Sequence, residues 1–152
     1  MNRSRELKTF RYLHFAAHGY LNNDDPSLSA VVLSQEGATS EEDGYMTAAK
    51  WARLDVDSDL IVLSACETGR GASAEGVTGL PYAMFAAGNR TAVLSLWRVN
   101  DSSTARFMRL YFDLIAAGEE SASALAKTKR LISSDPRYAA PVHWAGFIAY
   151  GR

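Results

Sequence analysis

A chain of 152 residues, 47% of them hydrophobic, has the size of one globular domain and enough apolar material for one core. Its 16 Lys and Arg stand against 17 Asp and Glu, so it lacks the basic excess that nucleic-acid binding draws on. A single cysteine closes no internal disulfide and no Cys and His cluster has zinc-site spacing. Nor does any apolar run approach the roughly 20 residues that span a bilayer.

Residues 1–8 are too polar for a signal peptide, which favours a cytoplasmic protein, and residues 1–9 read as a flexible lead. Residues 10–17 have strand character and are closed by His18 and Gly19. Residues 20–28, rich in Asn, Asp, Pro and Ser, read as a loop, 29–34 as a short strand, and 35–44 as an acidic, exposed loop. Thr47 caps a helix from Ala48 to about Leu54, with Trp51 and Leu54 on its buried side. The apolar run Leu60 to Leu63 has the character of a strand buried on both faces, and Cys66 stands just past its carboxyl end. Residues 67–76 are too glycine-rich for regular structure. Val77, Leu80, Met84 and Phe85 then recur at helical spacing, with Thr78 as cap and Gly88 as terminator. Residues 91–97 form another buried strand. Asn100 or Asp101 caps an amphipathic helix carrying Met108, Tyr111, Phe112 and Ile115 and ending before Gly118. A further helix starts at Ser121, with Leu125, Thr128, Leu131 and Ile132 as its apolar side, and stops at Asp135-Pro136; residues 144–150 read as the last strand. This alternation predicts a mostly parallel, three-layer α/β domain with right-handed crossovers.

The rim at the carboxyl ends of such strands is where ligands and reactive groups collect. His18 and Cys66, at positions 18 and 66, each follow a strand-like run, and both meet at one rim if those strands are parallel neighbours. A thiol with an ordinary pKa of about 8.5 is weakly ionised at neutral pH, and an adjacent imidazole can take its proton for nucleophilic acyl transfer. Gly19 and the Cys66 amide are candidate oxyanion donors, because a glycine lets substrate approach the backbone closely. Taken alone, a lone cysteine is more often a small buried hydrophobe, and His18 a rim residue bonded to a loop. His14 alternates onto the same face as His18 and reads as packed; His143 reads as structural. The glycines at 69, 71 and 76 precede a helix, yet no G-K-[ST] triplet and no G-x-G-x-x-G spacing supports nucleotide binding. Asp24, Asp25 and Glu67 lack metal-ligand spacing.

Five ordered blocks, H-F-A-A-H-G-Y, I-V-L-S-A-C-E-T-G, G-V-T-G-L-P-Y-A-M-F-A-A-G, V-L-S-L-W-R-V-N-D and H-W-A-G-F-I-A-Y-G, cover nearly the whole chain. Through them it closely resembles the CHAT domain, a bacterial member of the caspase, separase and gingipain-like clan of cysteine peptidases. The resemblance implies a caspase-like three-layer sandwich, residues 1–152 forming the catalytic C-terminal portion, and no cofactor or metal. It places His18 as catalytic histidine, Cys66 as nucleophile, and the Gly19 and Cys66 amides at the oxyanion site. Its implied function is a cysteine endopeptidase acting on a protein or peptide, regulated within bacterial signalling or defence. A catalytically silent interaction or assembly domain on the same scaffold is the alternative.

Two departures stand out. CHAT domains carry further strands and helices before the histidine strand, whereas only eleven residues precede Tyr12 here. The sheet is then expected to lack the family's N-terminal strands and to expose an edge, covered by an upstream repeat or sensor region, a partner chain or a second copy. Separases place an acidic residue directly after the tryptophan of the fourth block, where this chain has Arg98; Trp97, Arg98 and Asp101 are the candidate substrate-pocket residues.

Overall fold

The computed structural model describes residues 4–22, 24–39, 43–64, 72–73, 76–77 and 79–151. At its centre is β5 (Leu60–Leu63), whose four side chains are all buried. Aliphatic side chains on both faces suit a strand covered from both sides. β1 (Tyr12–Phe15) and β8 (Thr91–Ser95) flank it in parallel, and β9 (Phe147–Gly151) runs antiparallel beside β8. The order β1-β5-β8-β9 makes the expected mostly parallel sheet.

Successive strand residues point to opposite faces, so this sheet divides the apolar material into two cores. On one face Ile61, Leu63, Ala92 and Leu94 pack with Trp51 of α2 (Ala48–Trp51) and with Leu80 and Met84 of α3 (Gly79–Ala86). On the other, Leu60, Val62 and Val93 meet Phe107, Tyr111 and Ile115 of α4 (Asp101–Ala116) and Leu125 and Ile132 of α5 (Ser121–Ser133). Each fully buried large side chain contributes about 1.5–3 kcal/mol relative to exposure. The result is a three-layer α/β sandwich. Among the described residues no helix is long and apolar enough to cross a membrane.

Several details differ from the sequence reading: the last strand begins at Phe147 and not at Trp144, β8 ends at Ser95 and not at Trp97, and α2 ends at Trp51 and not near Leu54. The strand expected over 10–17 stops at Phe15; after Ala16 and Ala17 the chain enters β2 (His18–Tyr20) of a separate antiparallel sheet, completed by β3 (Ala30–Val32) and β4 (Tyr45–Thr47). Two small alanines permit that change of direction without the Pro or Gly that would announce it. Within the expected loop 67–76, β6 (Ala72–Ser73) pairs with β7 (Gly76–Val77), so Val77 belongs to a strand and not to the following helix. Cys66 and Thr78 lie outside the described residues. In the stretch read as a flexible lead, α1 (Ser4–Leu7) forms one helical turn, Leu7 packs on the first core and Lys8 pairs with Asp55. Leu131, expected on the apolar side of α5, is 52% exposed; Ala124 takes its place beside Leu125, Thr128 and Ile132.

Candidate active site

The rim is built by register. β1 and β5 pair from Tyr12 with Leu60 to Phe15 with Leu63, and the ladder continues one step further where the Ser64 N–H donates to the Phe15 carbonyl at 3.1 Å. The two strands therefore end level. Ser64 is the last described residue before the segment that carries Cys66, and His18 follows the end of β1 by three residues.

Between this rim and the first turns of α4 lies a pocket of about 330 Å³. His14, Ala16, Ala17 and His18 form its β1–β2 side, Ser64 its β5 side, and Val99, Asp101, Thr104, Ala105 and Met108 the side contributed by α4 and the residues before it. The start of α4 is fixed by Asn100, whose side-chain oxygen accepts from the N–H groups of Ser102 and Ser103 at 3.0 and 3.4 Å. Asp101 follows as first helical residue, where the helix dipole favours a carboxylate. That carboxylate has no hydrogen bond or ion pair among the described residues. The Thr104 hydroxyl is buried and, among the described residues, also without a hydrogen-bond partner.

His14 is tied into the pocket on two sides. Its Nε2 lies 2.9 Å from Ser64 Oγ, and its ring packs on Phe112 of α4 at 5.1 Å between centroids. One side of the ring stays open, yet the covered part costs the imidazolium hydration and holds the His14 pKa below its ordinary 6.5.

Gly19 sits between two ladder residues. The Leu33 N–H donates to Gly44, and the Ala48 N–H to Ser29, both at 2.8 Å, so residues 29, 31 and 33 bond toward β4. By alternation Ala30 and Val32 bond toward β2, where they face Tyr20 and His18. Gly19, between those two, directs its N–H and C=O away from β3, at the outer edge of the small sheet.

Of the three candidate substrate-pocket residues, Asp101 lines this cavity, and Trp97 and Arg98 are not among the residues that line it. The Trp97 indole N–H donates to the Val142 carbonyl at 3.2 Å, and its ring lies so close to Gly146 that a Cβ there would come within 2.8 Å of it. The glycine of the last sequence block thus makes room for the tryptophan of the fourth. Arg98 is exposed. Sequence reasoning does not single out His14, Ser64 or Thr104 as site residues. For His14 the available signal was parity with His18, and for Ser64 parity with Cys66, each an even number of residues away along a strand-like run. Among the described residues, no three His, Cys, Asp or Glu side chains are grouped closely enough to share a metal ion.

A three-layer sandwich with a mostly parallel sheet and a histidine-lined pocket at the rim where β1 and β5 end is an architecture of caspase-like kind. The family model of the CHAT domain matches residues 2–152, and the chain belongs to that family, a member of the caspase-like peptidase clan. Among curated proteins it is similar to human tetratricopeptide repeat protein 28, 30% identical over 107 residues, which are 70% of this chain and 4% of that protein. The mouse protein of the same name is 27% identical over the same length and share. The chain thus matches only a small part of the length of these relatives.

Proposed function

We propose that this CHAT domain is a cysteine endopeptidase in which Cys66 is the nucleophile and His18 the proton carrier. The observation that carries the reading is the shared pocket: His18 and Ser64, two residues before Cys66, line one cavity because β1 and β5 run parallel and end level. His18 takes the thiol proton as Cys66 Sγ attacks a peptide carbonyl, giving a tetrahedral oxyanion. The outward Gly19 N–H and the Cys66 amide are assigned to hold that oxyanion; removing one such donor elsewhere costs about 3 kcal/mol of barrier. Collapse breaks the C–N bond, and His18 gives its proton to the leaving amine. Water, deprotonated by His18, then hydrolyses the thioester and returns the thiol, so the net reaction is peptide plus water to acid plus amine. Asp101, whose carboxylate has no partner among the described residues, is assigned to the wall that receives a substrate side chain.

The curated relatives are named for tetratricopeptide repeats. This supports placing the domain as an effector beside a repeat or sensor region that regulates it.

Because Cys66 is the sole cysteine, alkylation by iodoacetamide reports on it alone. In the wild-type chain alkylation is expected to be fast below pH 7, where an ordinary thiol is almost wholly protonated, and to slow in His18→Ala. Cys66→Ala is expected to abolish peptide cleavage with the fold retained by circular dichroism. A sluggish thiol titrating near the ordinary value of about 8.5 and indifferent to His18 would overturn the assignment in favour of a silent assembly domain.

A further inference from the structure

The peptidase reading leaves His14 without a task, although it lines the same pocket as His18 and is held there by two contacts. Ser64 is gripped by consecutive residues of β1: its N–H by the Phe15 carbonyl at 3.1 Å, and its hydroxyl by His14 Nε2 at 2.9 Å. The first of these bonds continues the strand ladder and would exist with any side chains. The second is specific to this His and Ser pair, and it falls at the last step before the segment bearing Cys66. Phe112 packs against the imidazole, with the two rings tilted at 40°. A hydrogen bond open to a pocket adds little net free energy to folding, so its main consequence is where it puts the chain, not how firmly the chain folds.

We propose that His14 is a positioning residue for the nucleophile: by holding the Ser64 hydroxyl it fixes the exit of β5 in both main chain and side chain, and so sets Cys66 against His18. This rests on the peptidase reading for the roles of Cys66 and His18. Displacing reacting groups by about 1 Å can cost a hundredfold in rate, so loss of one such restraint is expected to be visible in Cys66 reactivity while barely moving stability.

A double-mutant cycle tests it. Second-order rate constants for iodoacetamide alkylation at neutral pH, with thermal unfolding alongside, are to be compared for wild type, His14→Leu, Ser64→Ala and the pair. Each single change is expected to slow alkylation about tenfold and the pair no further, because residues acting through one shared bond are not additive. His14→Gln, whose amide can pair with the same hydroxyl, is expected to stay within about threefold of wild type. Singles that alkylate at the wild-type rate, or effects that multiply in the pair, would overturn the positioning role. If His14→Leu does not fold, Ser64→Ala and His14→Gln decide alone: a slow serine variant with a fast glutamine variant supports the role, and any other combination refutes it. The two readings fail separately. An indifferent His18→Ala removes the dyad, whereas an additive cycle with a responsive His18→Ala removes only His14.

Discussion

His14 also ties folding to pH. Its pKa lies below 6.5 in the folded chain because part of the ring is buried, while the unfolded chain titrates near 6.5. Below 6.5 the unfolded form therefore binds more protons than the folded one. The resulting contribution to stability is fully present above 6.5 and is lost as pH falls through the folded pKa. His18 and Asp101 share the pocket and are unchanged in a His14→Gln variant, so the difference between wild type and variant isolates the one imidazole. Urea midpoints followed from about pH 8 down to about pH 5 are expected to fall more steeply for wild type than for His14→Gln; parallel curves would show that His14 keeps an ordinary pKa. The residue scale also shows what a linear reading misses. Parity along residues 10–18 gave His14 and His18 a common face, yet the chain leaves the main sheet between them at Ala16 and Ala17. They share a pocket because the strand end turns over it, not because one strand presents both.

Elements with a strong period were legible in advance, and those held by partners elsewhere in the chain were not. Met108, Tyr111 and Ile115, expected on the apolar side of α4, are buried there, joined by Phe107 while Phe112 is only half-buried, and Thr47 caps α2 by accepting from the Lys50 N–H at 3.2 Å. β2 and β4 are three residues each, with no buried residue and polar at one end, and take their order from pairing on β3. No local pattern marks such strands, because the signal is in the partner. Of the two cap candidates for α4, Asn100 takes the role, which leaves the Asp101 carboxylate available to the pocket. Asn100→Ala removes the acceptor for two N–H groups and is expected to cost about 1 kcal/mol, or about 2–4 °C in Tm for a domain of this size. Scanning calorimetry would show it. An unchanged Tm would mean that the dipole-favoured Asp101 or solvent replaces the cap without loss.

For the whole molecule, the decisive fact is that one four-stranded sheet serves two cores, so β5 and β8 are covered from both faces while β1 and β9 lie at the ends of the order. That architecture was readable from the alternation of elements, since an apolar strand such as Leu60 to Leu63 has no polar face to leave in water. The pairing also decides which β1 amides are protected. The carbonyls of Arg11 and Phe15 accept from residues 59, 60 and 64, so by alternation Leu13 also bonds toward β5, while the N–H groups of Tyr12 and His14 point to the edge where no described strand lies. Hydrogen exchange at neutral pH is expected to be slowest at β5 and β8, opening only with the global transition, and to alternate along β1, with Leu13 slow and Tyr12 and His14 fast. Uniformly slow exchange through Tyr12, Leu13 and His14, persisting on dilution, would mean that another part of the same chain covers the edge. Protection that appears only as concentration rises would assign the cover to a second copy. Fast exchange at the two edge amides would instead define β1 as a free strand able to pair with a repeat region or partner chain, directly beside the pocket that His14 and His18 line.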